Sequence, residues 1–473
     1  MAPTIPLEAT AERLDAKKKR PLGLWMATAL VVGNMIGSGV FLLPAQLAAI
    51  GPISLFSWVI TGTGAILLAL VFANLGKAYP RTGGPYAYSR RAFGDFIGFQ
   101  TAWGYWIAVW AGNAAIAVAF VGYLAVFWPN AASNHVLGAS LAIALIWLLT
   151  LVNIAGARQS GILQVVTTVL KFVPLAVVAL LGLFYMKSGN FTPFAPNHAS
   201  FGGRFNDITT AGTLTLWAFI GLESATVPAE EVSDPERTLP RATIVGTSVT
   251  TLVYIVATIA IMGIIPAAQL AGSTSPFADA AHAMFGGGWG KVIAAVAMIS
   301  TLGALNGWIL LQGRVPLAAA RDGLFPKRFA NVHGEKGTPV FGLVVSSVLV
   351  TALMFLYFNH GLNDIFQKVI LLATLTTLVP YAFSAAAELQ MFFQDRELFS
   401  LRSLTRDAVI AALAFVYSFW MIYGAGEETI AKGFLLLTAG TPVYVWMKWR
   451  QAHDAVLPDA LVDSDARGEA LHA

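Results

Sequence analysis

The sequence predicts an all-α polytopic membrane protein with twelve transmembrane helices, on three observations. Hydrophobic residues make up 57% of the 473 and charged residues only 11%, too apolar for a soluble domain of ordinary composition. Apolar runs of about 20 residues, the length that crosses a bilayer as a helix, recur along the chain. Two of those runs are interrupted by glycine beside polar residues at matching places in the two halves, the pointer to a transporter built from inverted repeats.

The first interruption is VVGNMIGSGVFLLP, residues 31–44, with Gly33, Gly37 and Gly39. Two helix breakers around Ser38 cost the helix about 2 kcal/mol relative to alanine. Freed backbone groups at membrane depth are tolerated only where they are buried in protein or line a polar cavity, and there their N–H groups can hold a carboxylate. Gly33 and Gly37 also fit the small-xxx-small pattern of a tight helix crossing. What favours a substrate site is the second interruption, WAFIGLESATVP, residues 217–228. There Ile-Gly is again followed by a polar residue and, seven residues after the glycine, by proline.

Spans are expected at 24–50, 52–76, 96–127, 137–156, 161–186, 209–229, 241–265, 289–319, 339–358, 363–390, 406–424 and 428–448. Lysine and arginine set the orientation, because short cytoplasmic loops collect them. Arg13 to Arg20 precede the first span, Lys77 to Arg91 follow the second, and Arg321 to Lys336 follow the eighth, whereas Lys187, Arg204 and Lys432 stand on the other side. Both termini are therefore expected in the cytoplasm, with a tail at 1–22, a transporter domain at 23–450 and a tail at 451–473. The net charge of +4 then reports topology, and no nucleic acid is expected as a partner. The N-terminal tail lacks the pattern of a cleaved signal peptide. With no cysteine, disulfides and thiolate metal sites are excluded.

Between the second and third spans, YPRTGGPYAYSRRAFG is expected to turn and restart a helix near Tyr86, with Arg90 and Arg91 acting as anchors of a positive-inside loop. In the third span Tyr105 and Asn113 lie eight residues apart on nearly one face; Asn113 suits either interhelical hydrogen bonding or a bound amine. Lys171, deep in the fifth span, is a functional candidate against a snorkelling reading. Glu223, just after the Gly221 break, is a candidate proton carrier or cation counter-ion, or else a hydrogen bond between the broken helices. Glu230 and Glu231 read as loop residues. Trp308, beside Asn306 and Gly307, can stack on a cationic group. Phe366, Thr374, Thr377 and Tyr381 mark the tenth span, where the threonines can also satisfy backbone that Pro380 disturbs.

Taken together, GNMIGSGVFLLPA, GGPYAYSRRAFG, QTAWGYWIAVWAGNAA, LWAFIGLESA, DPERTLPRA, LNGWILLQG and DGLFPKRFA resemble the amino acid/polyamine/organocation transporter family over nearly the whole chain. Within it the likeness is to the arginine/agmatine and putrescine/ornithine antiporters. The resemblance implies a leucine-transporter-like fold: repeat one at about 24–186, repeat two at about 209–390, broken helices 1 and 6, and extra helices at about 406–448. It implies a substrate site in which Asn34, Ser38, Gly39, Ile220 and Gly221 hold the α-carboxylate and α-amino group. Tyr105, Asn113, Trp217, Trp308, Phe366 and Tyr381 would line or gate that site, and Glu223 would be protonatable. Val109, Ile116, Ala218 and Ala373 depart from the arginine/agmatine pattern, so arginine itself is not implied. Lys171 resembles the fifth-span lysine of proton-coupled amino acid transporters.

The function expected is exchange of a cationic amino acid for another amino acid or its amine, in the cell membrane, without sodium and without a cofactor or metal. A proton-coupled symporter is the alternative. Homodimers are common in the family. No HExxH, no GxSxG after a strand and no paired intramembrane aspartates point to an enzyme, and nothing repeats as a channel's pore ring would.

Overall fold

The computed structural model describes residues 22–155 except 82, 175–394 except 176, 228, 230, 231 and 334–336, and 404–453. Every extended element among them is a helix. The first expected span is two helices, α1 (Leu24–Met35) and α2 (Ser38–Ile50). There follow α3 (Leu55–Ala78), α4 (Pro85–Phe93), α5 (Asp95–Leu124) and α6 (His135–Ala155). The second half holds α7 (Phe201–Leu216), α8 (Pro235–Ile264), α9 (Pro276–Phe285), α10 (Gly287–Arg321), α11 (Val340–Leu356) and α12 (Leu362–Gln394). Two more close the chain, α13 (Leu404–Tyr423) and α14 (Glu427–His453).

Counting α1 with α2, nine helices among the described residues are long and apolar enough to cross a membrane, and α11 is a shorter apolar one. Most of the expected fifth span, including Lys171, lies outside the described residues. The sixth begins earlier than expected, at Phe201, and ends at Leu216 on the break.

Burial ranks the helices. In α5 89% of the most apolar window is inside the protein, against 17% in α14, so α5 is the hub and α14 the periphery. A helix apolar on every side belongs at the centre of a bundle. α5 packs against both α10 and α12, while α8 packs against α1 and α3. Polar side chains stitch this apolar interior. Asn113 Nδ2 donates to Gln312 Oε1 at 2.7 Å, Gln312 Nε2 donates to Ser347 Oγ at 2.9 Å, and Asn153 Nδ2 donates to Asn306 Oδ1 at 3.1 Å. Such bonds join helices because the alternative is an unsatisfied polar group in hydrocarbon.

The loop after α3 turns on Gly83 and Gly84, with φ of 122° and 53°, values that glycine tolerates, and α4 starts at Pro85 as the sequence suggests. Arg90 does more than anchor a loop. It bonds Asp95 at 2.9 Å and Asp322 at 3.2 Å, Tyr86 donates to Asp322 at 3.1 Å, and Lys448 reaches Asp95 at 2.7 Å. Those contacts clasp α4, α5, the end of α10 and α14 at one end of the bundle, called here the basic end. The opposite end is less depleted of lysine than the loop reading implies: besides Lys432 it carries Lys291 at the start of α10 and Lys368 near the start of α12.

Candidate functional site

Helix α1 stops at Met35; Ile36 turns extended, with ψ of 94°, and Gly37 takes φ −142° before α2 begins at Ser38. Opposite it, α7 tightens into a 3-10 turn at Trp217–Phe219, Ile220 is extended with ψ of 127°, and Gly221 has φ of 110°. The first break lies where the sequence places it, with Gly33 and Gly39 inside helices rather than at the unwound point; in the second, α7 ends at Leu216 and residues 220–227 are turns, so the helix expected to continue to 229 stops before the glycine instead of resuming after it.

The breaks touch. A Cβ at Gly39 would lie 2.9 Å from the backbone of Ala218, and one at Gly221 would lie 3.1 Å from Asn34 Cβ, so both glycines are there for close approach. Asn34 Nδ2 donates to Ser224 Oγ at 2.9 Å, and Trp217 Nε1 to Ser38 Oγ at 3.2 Å. Tyr254 of α8 lies between them, its hydroxyl 2.6 Å from the carbonyl of Met35 and 2.9 Å from that of Ala218. With its single proton the phenol donates to one of these carbonyls or is shared between the two, and so bridges the end of α1 to the turn after α7, where freed carbonyls must find partners in an apolar interior.

A small cavity opens at this junction. Asn34, Ser38, Gly39, Tyr105, Trp217, Ile220 and Trp308 line it, along with Val109, Gly112 and Ile116. Its volume of about 20 Å³ is room for about one water. The start of α2 meets it with the first-turn N–H groups that a helix leaves unpaired and with the positive end of the helix dipole, a setting for a carboxylate. Trp217 swings over Gly112, where a Cβ would come within 2.7 Å of the indole. Trp308 Nε1 points at the Asn34 carbonyl at 3.4 Å.

Toward the basic end, Asn34 and Tyr105 also line a second cavity of about 280 Å³, together with Tyr86, Ser224 and Arg314. Arg314 is exposed there. The small cavity thus has a roomier neighbour on the basic side.

Glu223 is fully buried. Its Oε1 accepts from Tyr105 at 2.5 Å, and its Oε2 accepts from Tyr381 and from the Gly221 N–H at 3.1 Å. It stands behind Tyr105, outside the lining of either cavity, and ties the second break to α5 and α12. Its bonds do not cross to the first break.

Three of the residues expected to line or gate the site do not line this cavity. Asn113 bonds Gln312, the interhelical role; Phe366 is fully buried in α12 away from the cavity; Tyr381 reaches Glu223 rather than the cavity. Gly221 holds the break open without lining it. Tyr254, Gly112, Ser224 and Arg314 were not foreseen. Of these only Arg314 left a clear trace, a lone arginine in the apolar run of α10.

The amino acid permease family model matches residues 22–441. This chain belongs to that family. The permease is 34% identical over 452 residues to a putative arginine/ornithine antiporter of Bacillus subtilis, covering 89% of this chain and 96% of that protein. It is 33% identical over 440 residues to the putrescine transporter PotE of Escherichia coli (91% and 97% covered), and 35% over 434 residues to a cadaverine/lysine antiporter of the same species (89% and 93% covered). The family and these relatives are transporters, so the permease is a multi-pass membrane transporter and not an enzyme.

Proposed function

We propose that this permease is an antiporter that exchanges a cationic amino acid for another amino acid or for its decarboxylated amine by alternating access. The observation that carries the reading is the facing pair of breaks. Around one small cavity they offer a helix N-terminus for a carboxylate, carbonyl groups for an α-ammonium, and two indoles for the cationic end of a side chain. The relatives whose names join arginine to ornithine and lysine to cadaverine agree with it. Asn34, Ser38, Gly39 and Ile220 hold the α-groups in this reading, with Gly221 shaping the break; Tyr105, Trp217 and Trp308 enclose the side chain, and Glu223 acts through Tyr105 as the proton-coupling group. Arg314 lies where it would attract the carboxylate of an amino acid but not a bare amine.

The architecture that fits is twelve spans in a leucine-transporter-like 5+5 inverted repeat with two extra helices, tails at 1–22 and 451–473, and both termini in the cytoplasm of an inner-membrane protein. The basic end is then cytoplasmic and the larger cavity faces inward. Lys171 takes the place of a bound sodium ion in this proposal, its ammonium supplying the charge.

Counterflow in liposomes tests the reading. Labelled arginine, ornithine or lysine should enter only vesicles loaded with one of these amino acids or with putrescine, cadaverine or agmatine, and equally well when choline replaces sodium. Uptake into empty vesicles driven by a pH difference would identify a proton symporter instead, and uptake that stops without sodium would remove Lys171 from its proposed role.

A further inference from the structure

The cavity of about 280 Å³ joins the site at the breaks to the basic end. It shares Asn34 and Tyr105 with the small cavity, and Tyr86 and Ala318 with a wider one of about 600 Å³ at the basic end. One side of α10 follows all three. Trp308 lines the first, Gly307, Leu311 and Arg314 the second, and Arg321 the third, with Ala318 at the join. Steps of three and four residues from Gly307 to Arg321 keep those side chains on one face.

Arg314 is the charged residue of the middle cavity, six positions after Trp308, and most of its neighbours there are apolar: Leu30, Val227, Leu310, Leu311 and Val315. Among the described residues no carboxylate lines this cavity and none forms an ion pair with Arg314. Glu223, beyond Tyr105, is already engaged by two tyrosine hydroxyls and the Gly221 N–H.

A guanidinium between apolar walls acts on whatever enters, because weak screening strengthens its attraction for an anion and its repulsion of a cation alike. Arginine and agmatine, ornithine and putrescine, and lysine and cadaverine differ within each pair by the α-carboxylate. The amino acid brings a carboxylate that meets the guanidinium fork with two parallel hydrogen bonds. The amine brings two positive charges and nothing to offset them.

We propose that Arg314 is a selectivity residue, holding the α-carboxylate of an amino acid between the basic end and the breaks and turning back amines that lack one. Both partners of the exchange are then amino acids, which narrows the function proposed above. The inference rests on that reading of the breaks as a site for a cationic amino acid.

The test uses the full chain in liposomes supplied with labelled arginine, ornithine or lysine and loaded in turn with each amino acid and its matching amine. Whichever way the chain is inserted, a substrate that crosses must pass Arg314. The unmutated chain should exchange faster against the amino acids than against the amines. Arg314→Gln should shrink that preference by about tenfold or more, the worth of a lost charge-assisted pair of hydrogen bonds, slowing exchange with amino acids and raising it with amines. Arg314→Lys, which keeps the charge and loses the fork, should fall between the two. Equal exchange with amino acid and amine in the unmutated chain would overturn the inference and leave the reading of the site standing. So would a preference unchanged in Arg314→Gln, which would return Arg314 to the role of a topological anchor. If Arg314→Gln does not fold, a preference undiminished in Arg314→Lys would overturn it in the same way. No exchange of any of the three amino acids would overturn the reading of the site and this inference with it.

Discussion

Ile36–Gly37 interrupts an apolar helix and the stretch from Trp217 to Gly221 ends one, and they do it by different means. The first break is two residues long, with Gly37 at φ −142°, away from the positive φ that penalises a Cβ. The second runs through a 3-10 turn and an extended residue to Gly221 at φ 110°, a conformation that residues with a Cβ rarely take. Partners differ as well. The first break relies on the Tyr254 hydroxyl and on Trp308, whereas the second has its own carboxylate, Glu223, bonded to α5 and α12. Similar sequence grammar has produced one break kept open mainly by its neighbours and one that also depends on its own glycine and acid.

That difference is most exposed at Gly221. Gly221→Ala puts an L side chain at positive φ, which costs of order 1–3 kcal/mol, and drives a methyl toward Asn34 on the facing helix. The expected outcome is a lower unfolding temperature and a drop of more than tenfold in exchange rate; a variant that exchanges normally would show that the second break does not need its glycine.

Glu223→Gln comes next. Two tyrosine hydroxyls and the Gly221 N–H all donate to this side chain. An amide keeps the shape but turns one acceptor into a donor and cannot titrate. Exchange should persist at a reduced rate with a flattened pH profile. An unchanged profile, measured in vesicles across the range where the unmutated chain responds to pH, would confine Glu223 to holding the break.

Much of this was legible in the sequence because it rests on residues with few other uses. Glycine beside a polar residue inside an apolar run has little reason to be there except a break or a close approach; the break is at Gly37, and the close approach, expected of Gly33 and Gly37, is tightest at Gly39 against Ala218. Side-chain partners were harder to read. Eight-residue spacing put Asn113 on the face of Tyr105, yet a helix face about as wide as two side chains meets more than one neighbour, and Asn113 meets Gln312. Tyr254 left no trace, since a tyrosine in an apolar run reads equally as packing or as an interfacial anchor; only the facing carbonyls of Met35 and Ala218 give it a role. Arg90 looked like one more loop arginine until Asp95 and Asp322, distant in sequence from each other, were brought to it.

Tyr254→Phe tests the side chain that reaches a carbonyl of each break. It removes a hydroxyl and keeps the ring packed at 5.3 Å from Trp58 and 5.6 Å from Phe219. Leaving buried carbonyls without this donor costs about 1–3 kcal/mol, so the unfolding temperature should fall by less than in Gly221→Ala, with exchange slowed because both breaks loosen together. Should stability fall while exchange stays intact, the bridge would be structural only.

The smallest effect is expected at Gly37, and it is the sharpest check on the comparison. A Cβ there would stand 3.3 Å from the Cβ of Ala304, a contact that a shift of a few tenths of an ångström relieves, and Gly37 is not at the positive φ that Gly221 takes. Alanine would also favour continuing the helix, by about 1 kcal/mol on intrinsic propensity, but the bonds from Tyr254 and Trp308 oppose that by holding the Met35 and Asn34 carbonyls where they are. Gly37→Ala should therefore fold at nearly the unmutated temperature and keep most of its exchange. Combined with Tyr254→Phe it should lose far more than the two single changes add up to, because the helix would then be free to close over the gap. Simple additivity in that double variant would mean that the first break is held by something other than its neighbours, and the contrast with the second would fail.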